Sequence, residues 1–114
     1  MDRESVLHQI LSTGVVAVIR MRDSRKLLKV IEAICAGGVK CIEITMTVPG
    51  APAIIQELAT SVPRDVLIGA GTVVDARKVH EVIKAGATFV VGPTTDFDVI
   101  RICIEQGVVV IPGC

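Results

Sequence analysis

Apolar positions recur along this chain with two periods that take turns. Val6, Leu7, Ile10 and Leu11 form a helical stripe over residues 2 to 13 that stops at Gly14, and Val15 to Arg20 is a β-branched run that reads as a buried strand ending in a charge. From the capping signal Asp23-Ser24, Leu27, Val30, Ile31 and Ile34 recur at i, i+3 and i+4 spacing until Gly37-Gly38, which can close a helix in the left-handed conformation. A second strand follows from Lys40 or Cys41. Pro52 then suits the first turn of a helix whose inward residues are Ile54, Ile55, Leu58 and Val62, with Pro63 as its stop. Val66 to Val73 predicts a third strand. Asp75 caps a helix with Val79, Val82 and Ile83 inward, Phe89 to Pro93 is a fourth strand, and Asp96 opens a helix with the stripe Val99, Ile100, Cys103 and Ile104. Val108 to Ile111 is a fifth strand.

The second strand is unlike the others. With a period of two, Cys41, Glu43, Thr45 and Thr47 share one face while Ile42, Ile44 and Met46 share the other. The remaining strands are apolar on both faces, as strands covered by helices are, so Glu43 is expected to be enclosed. Burying a carboxylate is costly unless it is paired, hydrogen-bonded or protonated, and that cost moves its pKa toward the range useful for proton transfer. The alternative is a strand-end glutamate in a solvated mouth. Gly69 and Gly71 remove side chains from one face of the third strand and are expected to leave room near its end.

Alternating strand and helix demands a parallel sheet with right-handed crossovers. The two candidates are an open doubly wound sheet and a closed (β/α)₈ barrel. No glycine-rich phosphate loop follows the first strand, where Val18-Ile19-Arg20-Met21-Arg22-Asp23 stands instead. Polar residues end several different strands, namely Arg20, Glu43 with Thr45 and Thr47, and Thr72, and Pro93 ends another; a site gathered from many strand ends is a barrel's habit. The expected fold is therefore an α/β parallel (β/α)₈ TIM barrel. Eight such units need roughly 190 residues, so the 114 residues with their five strands are expected to be the first part of one barrel domain, truncated after the fifth strand.

Composition narrows the function classes. Half of the residues are hydrophobic (51%) and mean hydropathy is +0.65, as in a core-rich globular domain. Twelve basic and twelve acidic residues cancel without any run of like charge, which points away from nucleic acid and membrane surfaces. No apolar segment approaches the ~18 residues of a membrane span, and Met1-Asp2-Arg3-Glu4 does not look like a signal peptide, so a cytoplasmic location is expected. Cys35, Cys41, Cys103 and Cys114 lack CxxC spacing and read as small core hydrophobes; His8 and His80 read as surface residues, and no metal site is expected.

Five segments in register also carry a resemblance: Val15-Val16-Ala17-Val18-Ile19-Arg20, Ala36-Gly37-Gly38-Val39-Lys40-Cys41-Ile42-Glu43-Ile44-Thr45, Ile68-Gly69-Ala70-Gly71-Thr72-Val73, Val91-Gly92-Pro93 and Val110-Ile111-Pro112-Gly113. Together they resemble the 2-keto-3-deoxy-6-phosphogluconate / 4-hydroxy-2-oxoglutarate aldolase family over essentially the whole chain. The resemblance implies a class I aldolase, a homotrimeric barrel when full length. Such an enzyme would cleave a small 2-keto acid to pyruvate and an aldehyde through a lysine Schiff base and would need no cofactor. It places the general acid/base glutamate on Glu43, a carboxylate-binding threonine on Thr72, an anion-binding arginine on Arg20 and a pocket-wall proline on Pro93. Where the family often has an arginine four residues after the glutamate, this chain has Thr47, which can hydrogen-bond but cannot neutralise charge. The Schiff-base lysine of the family lies on a sixth strand that this chain does not reach. Lys26, Lys29, Lys40, Lys78 and Lys84 do not end strands, so the chain alone is expected to be inactive. The other readings are a phosphate-binding barrel isomerase or epimerase, and a non-catalytic part-barrel that serves as a binding module.

Overall fold

Five parallel strands stand side by side in chain order in the computed structural model, which describes residues 1–114. They are β1 (Ala17–Ile19), β2 (Cys41–Thr45), β3 (Leu67–Gly71), β4 (Phe89–Val91) and β5 (Val109–Ile111). The helices are α1 (Arg3–Thr13), α2 (Leu27–Ala36), α3 (Ala51–Ser61), α4 (Ala76–Ala85) and α5 (Phe97–Glu105). Each crossover lays the next strand beside the last, giving the order β1-β2-β3-β4-β5. A doubly wound sheet reverses strand order at a switch point, and this sheet has no reversal. It is a partial barrel.

Alternation along the strands separates two apolar layers. Ile19, Ile42, Ile44, Ile68, Ala70 and Val90 point outward and pack with Leu27, Ile31, Ile55, Leu58, Val79, Val82, Val99, Ile102 and Cys103 of the helices. On the inner face, Cys41, Leu67, Phe89 and Val109 begin their strands and pack with Val6 of α1, so the leading helix closes the amino end of the lumen. Gln9 Nε2 fixes that helix by donating to the Asp65 carbonyl (2.6 Å), and Lys40 pairs with the Asp65 carboxylate (3.0 Å).

Element boundaries differ from the sequence pattern in specific ways. The strands are shorter than their apolar runs, and β2 ends at Thr45, which leaves Thr47 in the following turn rather than on the strand face. The second helix starts at Leu27, because Asp23 accepts from the Arg25 backbone N–H (3.0 Å) and holds a separate turn ahead of it. Asp75 and Asp96 cap α4 and α5 as expected, each accepting backbone N–H groups of the first turn. In α5 the buried residues are Val99, Ile102 and Cys103, whereas Ile104 is exposed: position 102 faces the sheet and position 104 turns away. Leu7 and Leu11 of α1 are exposed because only Val6 and Ile10 reach the lumen plug. Cys114 is exposed and Cys35 half-buried, so only Cys41 and Cys103 are core residues. Val18 was expected to be covered and is 51% exposed, since it points into a lumen that five strands do not enclose.

Candidate active site

In a wholly parallel sheet every strand delivers its last residues to one rim. Arg20 follows β1, Glu43 is the middle residue of β2 with its carboxyl reaching over Gly71 at the end of β3, Thr45 ends β2 with Thr47 just beyond, Thr72 follows β3, and Pro93 lies two residues past β4. All of the residues singled out from the sequence thus share the carboxyl side.

Glu43 is the only charged side chain that the fold buries, at 7% exposure, and it sits on the inner face between Cys41 and Thr45. It has no hydrogen-bond or ion-pair partner within the chain. Burial pushes its carboxyl above the usual carboxylate range, and the positive charge of Arg20 partly opposes that rise. Arg20 is itself exposed and acts at a distance, without a salt bridge. A carboxyl whose pKa is raised in this way is better matched to giving and taking a proton than an ordinary surface carboxylate.

Thr45 is fully buried and donates its hydroxyl proton to the Ile19 carbonyl (3.2 Å), tying β2 to the end of β1. Its oxygen lies 2.7 Å from that of Thr47. With the Thr45 proton engaged, Thr47 is the donor of that bond, and it turns lone pairs rather than a free O–H toward solvent. This bond is why a residue past the strand end still belongs to the site.

Thr72 is the only non-glycine residue with positive φ (57°). A left-handed β-branched residue costs on the order of 1–2 kcal/mol. The flanking ladder enforces it: Gly71 accepts from Met46 N–H (2.8 Å), and Val73 N–H donates to the Val91 carbonyl (3.2 Å). Pro93 stands apart from this group. It is exposed, and its backbone presses on Gly113, where a Cβ would lie 2.8 Å from the Thr94 nitrogen and closer still to the Pro93 carbonyl.

The space expected over Gly69 and Gly71 exists, but this chain fills it itself. A Cβ on Gly71 would fall on the Glu43 carboxyl, with Cδ at 2.5 Å, and one on Gly69 would strike the Phe89 ring. The glycines make room for protein side chains, a role that the bare sequence could not assign because it depends on register. No closed cavity covers the rim residues. The hollows on the chain lie outside the barrel, the most apolar being a groove of about 360 Å³ between α2 and α3. The five lysines lie elsewhere too. Lys26 precedes α2 and Lys29 lies in it, Lys40 precedes β2 and is engaged with Asp65, and Lys78 and Lys84 lie on α4; Lys40 and Lys78 are half-buried rather than fully exposed. No group of three or more histidine, cysteine, aspartate or glutamate residues is gathered to hold a metal ion.

Comparison with known proteins agrees with this geometry. The chain is 36% identical over 99 residues to the 2-dehydro-3-deoxy-phosphogluconate aldolase of Pseudoalteromonas atlantica, covering 87% of this chain and 46% of that protein. To the KHG/KDPG aldolase of Escherichia coli it is 34% identical over 105 residues, covering 91% and 49%. It therefore spans about half the length of the curated relatives it matches. Among solved structures, the 2-keto-3-deoxy-6-phosphogluconate aldolase of Zymomonas mobilis superposes with a TM-score of 0.85 at 29% identity, over 100% of this chain and 53% of that one. The KDPG aldolase of Legionella pneumophila, solved with pyruvate captured as a covalent carbinolamine intermediate, superposes with a TM-score of 0.80 at 31% identity, over 87% and 48%. The profile of the family described as KDPG and KHG aldolase matches residues 6–114. With the family model matched over residues 6–114, nearly the whole chain, the chain belongs to the KDPG and KHG aldolase family.

Proposed function

We propose that this chain is the N-terminal part of a (β/α)₈ domain that cleaves 2-keto-3-deoxy-6-phosphogluconate, 4-hydroxy-2-oxoglutarate or both, to pyruvate and an aldehyde. The observation that carries the reading is Glu43, a lone buried carboxyl with a raised pKa at the carboxyl side of the sheet. In the cleavage direction Glu43 takes the proton of the substrate hydroxyl as the carbon–carbon bond breaks. The electron pair must pass to an iminium, which only an amine can form with the keto group. Arg20 supplies positive charge for the acid groups of the substrate, Thr72 offers a polar side chain at the end of β3, and Pro93 bounds the rim. Thr47 is a weaker anchor than an arginine would be, because its proton is engaged by Thr45.

The reading assigns the amine to a lysine on a further strand, and the placement of the five lysines supports that: none is on the inner face of a strand. Proton transfer alone contributes typically ~10²–10⁴-fold, so this chain by itself is expected to have little measurable cleavage. Borohydride reduction in the presence of pyruvate tests this. No lysine of the 114-residue chain should gain a pyruvyl group, whereas the lysine of a protein with all eight strands should gain one. A stoichiometric adduct on Lys26, Lys29, Lys40, Lys78 or Lys84 would overturn the assignment.

A further inference from the structure

The register places Glu43 beside Gly69, and Thr45 beside Gly71. The Glu43 carboxyl nevertheless occupies the place that a side chain at position 71 would take, one layer nearer the carboxyl rim. The layer directly beside Glu43 is taken by the Phe89 ring, which lies over Gly69. The two glycines therefore hold two different side chains at two heights: an aromatic floor below, and a carboxyl above it that no hydrogen bond tethers.

We propose that Gly71 is the positioning residue of the candidate acid/base: its missing side chain is the socket that raises the Glu43 carboxyl to the rim, with the Phe89 ring over Gly69 as the floor beneath. The functional meaning of this socket rests on the aldolase reading above; its existence does not. With no hydrogen bond to orient it, the carboxyl is held by the shape of the socket, so one added methyl must move it or push the strands apart. The Gly71 backbone is not in the left-handed region, so alanine there carries no conformational penalty of its own.

The test is a double-mutant cycle in the full chain, read by urea unfolding. Gly71→Ala should lower the unfolding midpoint markedly with Glu43 present, and equally in the isosteric Glu43→Gln background, since the conflict is steric. In the Glu43→Ala background most of that loss should vanish. Should Gly71→Ala fail to fold while Gly71→Ala/Glu43→Ala folds, the socket is supported. An equal loss in the wild-type and Glu43→Ala backgrounds, or failure of the Gly71→Ala/Glu43→Ala variant to fold, overturns it. A second readout is the Glu43 carboxyl titration followed by ¹³C NMR. Arg20, at the end of β1, is the charged group acting on this carboxyl, and Gly69, Gly71, Phe89 and Val91 bring none from β3 and β4. If Gly71→Ala folds, the carboxyl displaced from the socket should titrate closer to its ordinary value of 4.5. A titration unmoved by Gly71→Ala would mean the carboxyl had stayed in place, and would overturn the proposal. Neither measurement involves a keto acid, so the socket could fail with the aldolase reading intact, and the reverse.

Discussion

At Glu43 a single side chain sets a pH dependence with a definite sign. Its carboxyl binds a proton more tightly folded than unfolded, so between the ordinary value of 4.5 and the raised folded one the native state holds more protons than the unfolded state. Stability therefore falls as pH rises through that window and stays reduced above it. Asp2 and Asp65 have lowered values and act in the opposite direction, losing stability as pH falls. The difference between wild type and Glu43→Gln isolates the first effect. Chemical denaturation from pH 4 to 8 should find the glutamine variant gaining on wild type as pH increases, and a flat difference would mean that Glu43 is not desolvated. Thr72 makes a second residue-scale case. Its left-handed backbone is released by glycine, so Thr72→Gly should leave stability unchanged or raise it by up to about 1 kcal/mol, and a clear loss would show that the hydroxyl carries more than the strain it sits on.

The elements differ in how firmly their ends are held. Asp75 accepts from the Lys78 N–H (2.9 Å) and Asp96 from those of Asp98 and Val99, so α4 and α5 start where the sequence marks them. Asp75→Ala should cost about 1 kcal/mol in a urea titration, and no loss would mean that water caps the helix equally well. By contrast α2 has Lys26 at its N-cap position and no side-chain cap, because Asp23 is spent on its own turn. Among the strands, β4 carries the residue with most to lose. Phe89 is fully buried between the α1 plug and Gly69, and Phe89→Ala should cost about 3–5 kcal/mol. A loss below about 1 kcal/mol would mean that the lumen floor is not packed as described.

For the molecule as a whole, the inner face of the sheet is left open at its two edges. The inner-facing Val18 and the rim residue Ile111 are exposed on β1 and β5, the two edge strands, which keep unpaired backbone groups. Exposed edges with apolar neighbours favour association, so sedimentation velocity should find this chain self-associating as concentration rises. Val18→Lys should shift it toward monomer. A monomer at every concentration would show that the edges are protected. No helix is long and apolar enough to cross a membrane, so the exposed apolar surface is not a helical membrane span.

The order of elements, the parallel sheet, the caps at Asp75 and Asp96 and the odd status of Glu43 were legible in sequence, because period, capping chemistry and a carboxylate amid apolar strands are local signals. What escaped it depended on neighbours far along the chain. Ile102 rather than Ile104 faces the sheet because of how α5 is rotated against it. Gly69 and Gly71 promised space but could not say whose. That answer required the register that sets β2 beside β3 and carries the Glu43 carboxyl over Gly71 and the Phe89 ring over Gly69. A glycine's sequence records only an absence, and the packing of other strands decides what fills it.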